Sequence, residues 1–241
     1  MKTIIRYGKY EDSAQEFENI LKDTIAQYGY KNILDVGAGA NPALNENFIR
    51  CAEIDYTILD ISEAQLQKAP KNYHKIVADA ASPNFIVDKK FDLVFSRMVV
   101  GHIKEVEQFH KNMQKILTEE GMAIHFFSTL YSFPFFVNYI LHEKITNKLL
   151  DIFAPRDKYK HAKLPAYYNW CRGPLLSLIR KYNSLGYDVV EYVGYFGHDY
   201  YEKFKFINEL HKINTRYLLI KPSALLTSYA FVILKKKSEE T

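Results

Sequence analysis

The chain has 241 residues, 48% of them hydrophobic, and a net charge of +4. That length and apolar share fit one large α/β domain with a full core, and the charge is too small to mark a nucleic-acid binder by itself. The two cysteines, Cys51 and Cys171, give neither a disulfide framework nor a metal-ligand spacing, so no metal is expected and reduced thiols in the cytoplasm are.

In chain order, Met1 to Tyr7 lacks the long apolar core of a signal peptide. Asp12 to Tyr28 places Phe17, Ile20, Leu21 and Ile25 at the spacing of an amphipathic helix. Ile33 to Val36 and Asp55 to Leu59 read as short buried strands, and Glu63 to Lys68 as a helix ended by Pro70. Lys75 to Ala78 and Phe91 to Phe95 follow as strands, Val106 to Leu117 as a helix with His110 on its surface, and Met122 to Phe127 as a strand. Strands alternating with helices at this spacing predict a parallel, doubly wound sheet. The rhythm breaks over about 130–172, which is rich in proline and aromatic residues and reads as an insertion over the carboxyl ends of the strands. Helices over Leu175 to Leu185 and Tyr201 to Ile213 and strands over Asp188 to Tyr192 and Tyr229 to Leu234 complete a single domain, 1–241. Gly121 to Leu141 carries no Asp, Glu, Lys or Arg, but polar residues dilute it and its start reads as a strand, so no transmembrane segment is expected.

The chemistry begins at Asp35-Val36-Gly37-Ala38-Gly39-Ala40-Asn41-Pro42, a buried strand followed by a glycine turn that lets backbone approach a ligand. A P-loop needs Lys-Ser/Thr after its glycines, and none follows. A dinucleotide fingerprint needs a third glycine where Pro42 stands, which weakens that reading. Acids follow at two later strand ends: Asp60 in Ile58-Leu59-Asp60-Ile61 and Asp79 in Val77-Ala78-Asp79-Ala80. Then come Phe91-Asp92-Leu93-Val94-Phe95-Ser96-Arg97 and Glu120-Gly121-Met122.

In this ordered set, over about residues 30–129, the chain resembles the class I S-adenosylmethionine (SAM)-dependent methyltransferases. The resemblance implies a Rossmann-like, seven-stranded, mostly parallel sheet with an antiparallel last strand, plus a helical, aromatic lid insertion. It implies SAM as cofactor and S-adenosylhomocysteine as product. Asp35, Gly37, Ala38 and Gly39 would form the cofactor turn, Asp60 with Ile61 would take the ribose, Asp79 with Ala80 the adenine, and Ser96 and Arg97 would complete the site. Asp60 and Asp79 are also suited to helix capping, Asp35 to holding turn amides, and Asp92 to tying down a loop.

His102, after the strand Phe91 to Phe95, is the first candidate base, with packing against the cofactor or capping of the next helix as its alternative; His198 is a second base or substrate-contact candidate, and a structural role is favoured for His125. Eleven of the nineteen tyrosines fall within 131–201, and Tyr167-Tyr168-Asn169-Trp170-Cys171-Arg172 joins aromatic rings to an Arg after Lys158, Lys160, His161 and Lys163. Such a surface suits a ring-bearing anion, so Tyr167, Tyr168, Trp170 and Arg172 are substrate candidates, although a satellite core explains the same aromatics. The family also lets an N-terminal segment fold over the cofactor, which nominates Tyr7, with a disordered tail as the alternative. The whole-chain pattern resembles bacterial methyltransferases of surface-polysaccharide biosynthesis. That implies a small-molecule substrate, a nucleotide-linked sugar or phosphoramidate, methylated on oxygen. An RNA or other nucleic-acid methyltransferase and a SAM-binding protein without catalysis are the alternatives.

Overall fold

The computed structural model describes residues 2–130 and 165–238. Its strands are β1 (Ile4–Lys9), β2 (Asn32–Val36), β3 (Asp55–Asp60), β4 (His74–Val77), β5 (Phe91–Arg97), β6 (Leu117–Ser128), β7 (Tyr187–Phe196) and β8 (Tyr229–Lys236). They form one sheet in the order β1-β7-β8-β6-β5-β2-β3-β4. Only β8 is antiparallel, to β6 on one side and β7 on the other. The carboxyl ends of β2, β3, β4, β5 and β7 therefore share one edge of the sheet, where open α/β sheets bind ligands.

Alternation along the strands builds two cores. Leu34, Val36, Leu59 and Val94 face a cluster with Phe109, Met113 and Tyr182. Ile33, Ile58, Leu93 and Phe95 face another with Phe17, Leu21 and Ile49. The first layer is covered by α4 (Val106–Ile116) and α5 (Leu176–Ser184), the second by α1 (Tyr10–Tyr28), α2 (Glu46–Cys51) and α3 (Glu63–Leu66). Helix α1 buries Phe17, Leu21 and Ile25 and ends at Gly29, whose φ of 65° accommodates the left-handed cap. Asn45 and Ser62 cap α2 and α3 by accepting from the N–H groups of Phe48 and Gln65. The last helix, α6 (Lys205–Ile220), lies between β7 and β8 in sequence and extends beyond the stretch foreseen from the sequence.

Three expectations are corrected. The sheet has eight strands rather than seven, because Ile4–Lys9 pairs in parallel with β7. The alternation of Ile4, Ile5, Arg6 and Tyr7 is too short to signal a strand alone; its partner supplies the hydrogen bonds, and Arg6 pairs with Glu16 and Glu191. Second, β6 begins at Leu117, so Glu120 and Gly121 lie within an irregular strand, with a register shift against β5 between Phe91 and Leu93. Third, His110 is fully buried instead of lying on the surface of α4.

Leu130 N–H donates to Cys171 O, so the two ends of the expected insertion meet just beyond the carboxyl end of β6. Residues 131–164, with Lys158, Lys160, His161 and Lys163, lie outside the described residues. Among the described residues no helix is long and apolar enough to cross a membrane.

Candidate cofactor and active site

The glycine turn follows β2 directly. Gly37 has a φ of 74° and Gly39 one of 51°, conformations that favour glycine. A Cβ on Gly37 would also lie 2.3 Å from Cγ2 of Val99, so the position excludes a side chain for a second, steric reason. Asp35 sits behind the turn, 2% exposed. Its Oδ2 accepts from Ala43 N–H (2.9 Å) and from the Tyr56 hydroxyl (2.7 Å), while Arg97 donates to Asn41 O (3.2 Å). Burial raises the Asp35 carboxyl to about 6, against the lowering effects of Ala43 N–H, the Tyr56 hydroxyl and Arg97. The side chains of Asp35 and Arg97 thus hold the shape of the turn.

The next two strand ends present their acids differently. Asp60 Oδ1 accepts from Ser62 N–H at 2.8 Å, which fixes the carboxylate. Its Oδ2 faces Gly39, 3.4 Å from where a Cβ would stand. Ile61 beside it is 69% exposed, an apolar surface placed for a ligand's ring to cover. Asp79 is exposed and accepts from Ala81 N–H at 2.9 Å, so it caps its own turn and still offers an oxygen. Ala80 is buried, its carbonyl bonded to Asn112. Ser96 is buried and bonded through Oγ to Nδ1 of His125 (2.9 Å), leaving its backbone as the part near the site. Asp92 accepts from the N–H groups of Lys31 and Asn32 and so ties down the loop before β2.

Residues 34–125, from β2 through most of β6, match the family described as methyltransferase domain. That segment is similar in sequence to methyltransferase domains. A curated relative, the ubiquinone biosynthesis O-methyltransferase of Pelagibacter ubique, is 35% identical over 123 residues, 47% of this chain and 50% of the relative. The chain thus spans about half the length of the curated relative it matches. Solved SAM-dependent methyltransferases share the fold over nearly the whole chain. One from Clostridium acetobutylicum has a TM-score of 0.55 at 12% identity, covering 93% of this chain and 92% of its own. One from Archaeoglobus fulgidus has a TM-score of 0.51 at 16% identity, covering 94% and 98%. The fold is the Rossmann-like one of the class I methyltransferases. The residues present are compatible with SAM: the side-chain-free backbone at Gly39 stands beside the Asp60 carboxylate, an acceptor that could take both ribose hydroxyls, and the exposed Ile61 offers an apolar surface next to it.

Beside the domain's cofactor turn, residues 165–172 form a strap. Gly101 O accepts from the N–H groups of Tyr167 (2.8 Å) and Tyr168 (3.0 Å), and Asn169 donates to Lys104 O. Tyr168 and Trp170 have φ of 50° and 60°, backbone strain that these anchors hold. His102 lies under the strap, its Nδ1 2.8 Å from Pro165 O. The structure therefore brings His102 and the backbone of Tyr167 and Tyr168 to the turn after β5; the Tyr168 side chain is buried in the core, and Arg172 bonds the carbonyls of Tyr168 and Cys171. Trp170 points instead into the core layer: its ring stacks on His110 at 5.6 Å, with Lys181 above it. Packing, not substrate contact, accounts for that ring.

Two other expected residues are not brought to the domain's cofactor turn. Tyr7 lies on β1, five strands from β2, stacked on Phe196. Paired as an edge strand, its segment does not fold over the cofactor. His198 follows β7, three strand spacings or about 14 Å from β5, and stacks on His211. The residues sequence reading missed are Tyr56 and Val99. Strand alternation marks Tyr56 as buried, but its bond to Asp35 and the fit of Val99 over Gly37 are tertiary contacts without a local signal.

The buried histidines set a pH dependence. His110 and His125 are fully buried in edge contact, and burial holds both below the ordinary imidazole range, His125 at about 3. Their folded values lie below the unfolded one, so their stabilisation is complete above about pH 6.5 and is lost as pH falls, each by about 1.4 kcal/mol per unit. Asp35, raised to about 6, acts oppositely and regains about 1.4 kcal/mol per unit between pH 6 and 4. His198 and His211, also held low by burial, act with His110 and His125 against Asp35 and leave a net loss on acidification. Thermal unfolding at pH 7.5 and 5.0 should show the lower Tm at pH 5.0; an equal or higher Tm there contradicts this balance.

Proposed function

We propose that the chain transfers a methyl group from SAM to a hydroxyl of a small acceptor lying between the glycine turn and the strap. The observation that carries this reading is the Asp60 carboxylate held against the side-chain-free turn at Gly39. SAM supplies a methyl group on a sulfonium: an O–CH3 bond forms as the S–CH3 bond breaks, and a neutral thioether leaves. The residues supply alignment and exclusion of water. Asp60 and Asp79 hold the adenosine, and the turn, shaped by Asp35 and Arg97, holds the amino-acid end. His102 handles the proton. Pro165 O can only accept, so His102 carries its proton on Nδ1 and directs the lone pair of Nε2 outward, ready to take the acceptor's proton.

Support for oxygen as the acceptor comes from His102 and from the O-methyltransferase name of the relative. The anionic, nucleotide-linked or phosphoramidate precursor of surface polysaccharide has thinner support. Arg172 donates to the carbonyls of Tyr168 and Cys171, and the lysines that suggested an anion lie outside the described residues. The test is a mass-spectrometric screen with SAM against phenols, sugar nucleotides and phosphorylated metabolites. A one-methyl gain matched by S-adenosylhomocysteine is the expected result; binding of SAM with no gain in any class would reduce the protein to a SAM binder.

A further inference from the structure

Helix α6 turns an apolar side away from the protein. At 3.6 residues per turn, Phe206, Leu210, Ile213, Tyr217 and Ile220 share one face, a stripe about 21 Å long. All five are between 52% and 78% exposed. The opposite face holds the helix down. There His211 accepts from His198 N–H, a Cβ on Gly197 would lie 3.5 Å from Thr215 Cγ2, and Leu218 is buried. The seat is loose, and a cavity of about 340 Å³ remains beneath the helix, between the end of β7 and the approach to β8. Leu226 lines that cavity with Ile207 and Leu210, and all three are exposed, so the apolar surface continues onto the turn after the helix. Soluble proteins rarely leave such a continuous apolar patch bare; one with a polar rim marks an interaction surface.

Charge separates the candidate partners. Glu209, the helix's one acid, is bonded to Lys212 at 3.0 Å. Lys205 and Arg216 stand on the same flank of the stripe, Lys221 follows its end, and all three are exposed. The rim is therefore basic and calls for a negative partner. A second copy of the chain would set the same basic rim against itself. Residues 131–164, with six lysines or arginines against three acids, carry the same sign. An apolar stripe with a basic rim suits a helix lying in the surface of an anionic bilayer, where the apolar side chains enter the acyl boundary and the cations meet lipid phosphates. With 16 residues the helix is too short to span the bilayer.

We propose that the outward face of α6 docks the protein on an anionic lipid bilayer. The middle of the helix stands on the carboxyl end of β7, and that end belongs to the sheet edge that carries the glycine turn. Docking holds this edge near the lipid surface. The docking is independent of the methyltransferase reading.

Vesicle flotation of the full chain at low ionic strength tests it. Wild type should bind mixed phosphatidylglycerol/phosphatidylcholine vesicles about tenfold or more tightly than pure phosphatidylcholine ones. Ile213→Asp should weaken that binding about tenfold or more, and Lys205→Glu/Arg216→Glu should remove the preference for the anionic lipid. The substituted positions are exposed, so both variants should unfold at the wild-type Tm. Absence of vesicle binding, or binding indifferent to either variant, overturns the proposal. Where binding is absent, sedimentation names the other occupant: a dimer that Ile213→Asp dissociates is a second copy, and a monomer leaves the stripe to residues 131–164. Vesicle binding by a chain that does not bind SAM would overturn the methyltransferase reading and leave this surface standing.

Discussion

Gly37→Ala is expected to abolish SAM binding and to destabilise the chain by about 2–5 kcal/mol. Two separate costs add. An L-residue at φ 74° costs about 1–2 kcal/mol, and a methyl group 2.3 Å from Val99 Cγ2 forces repacking worth about 1–3 kcal/mol. The turn is pinned from behind by Asp35 and Tyr56 and from β5 by Arg97, so it has little freedom to move away. The double variant Gly37→Ala/Val99→Ala separates the costs: it relieves the clash and leaves the backbone strain, so stability should recover in part. Denaturant unfolding and SAM calorimetry read both effects. Wild-type affinity in Gly37→Ala would show that the backbone at this turn does not approach the cofactor.

The second large effect is expected at His102. His102→Ala should lower kcat about 100- to 10,000-fold, the range of general-base catalysis, with SAM affinity unchanged. Its imidazole is exposed, and its hydrogen bond among the described residues, from Nδ1 to Pro165 O, holds the strap only weakly. A fold defect would therefore be small, and the loss would appear in kcat and not in cofactor binding. Turnover within tenfold of wild type at neutral pH would remove His102 from the chemistry.

How much of this was legible beforehand varies along the chain. Strands β2, β3 and β4 announce themselves because each is a short run closed by a glycine or an acid. Asp35 was legible as a turn acceptor and Asp92 as a loop tie, since a carboxylate beside backbone N–H groups has few alternatives. His110 was misread because its helical position looks outward until α5 and Trp170 close over it. Strand β1 was missed because its stability lies in β7, some 180 residues away in sequence. The cavity under α6 had no sequence signal either: it arises from two elements failing to fill the space between them, a property of packing that periodicity does not encode.

The measurement closest to the central claim is calorimetry of SAM binding to the wild-type chain and to Asp60→Ala. Hydrogen bonds from both ribose hydroxyls to one carboxylate are worth about 2–3 kcal/mol, so the variant should bind SAM about 30- to 150-fold more weakly while retaining its fold. Failure of the wild-type chain to bind SAM, or equal affinity in Asp60→Ala, would contradict the assignment of this glycine turn to the methyl donor.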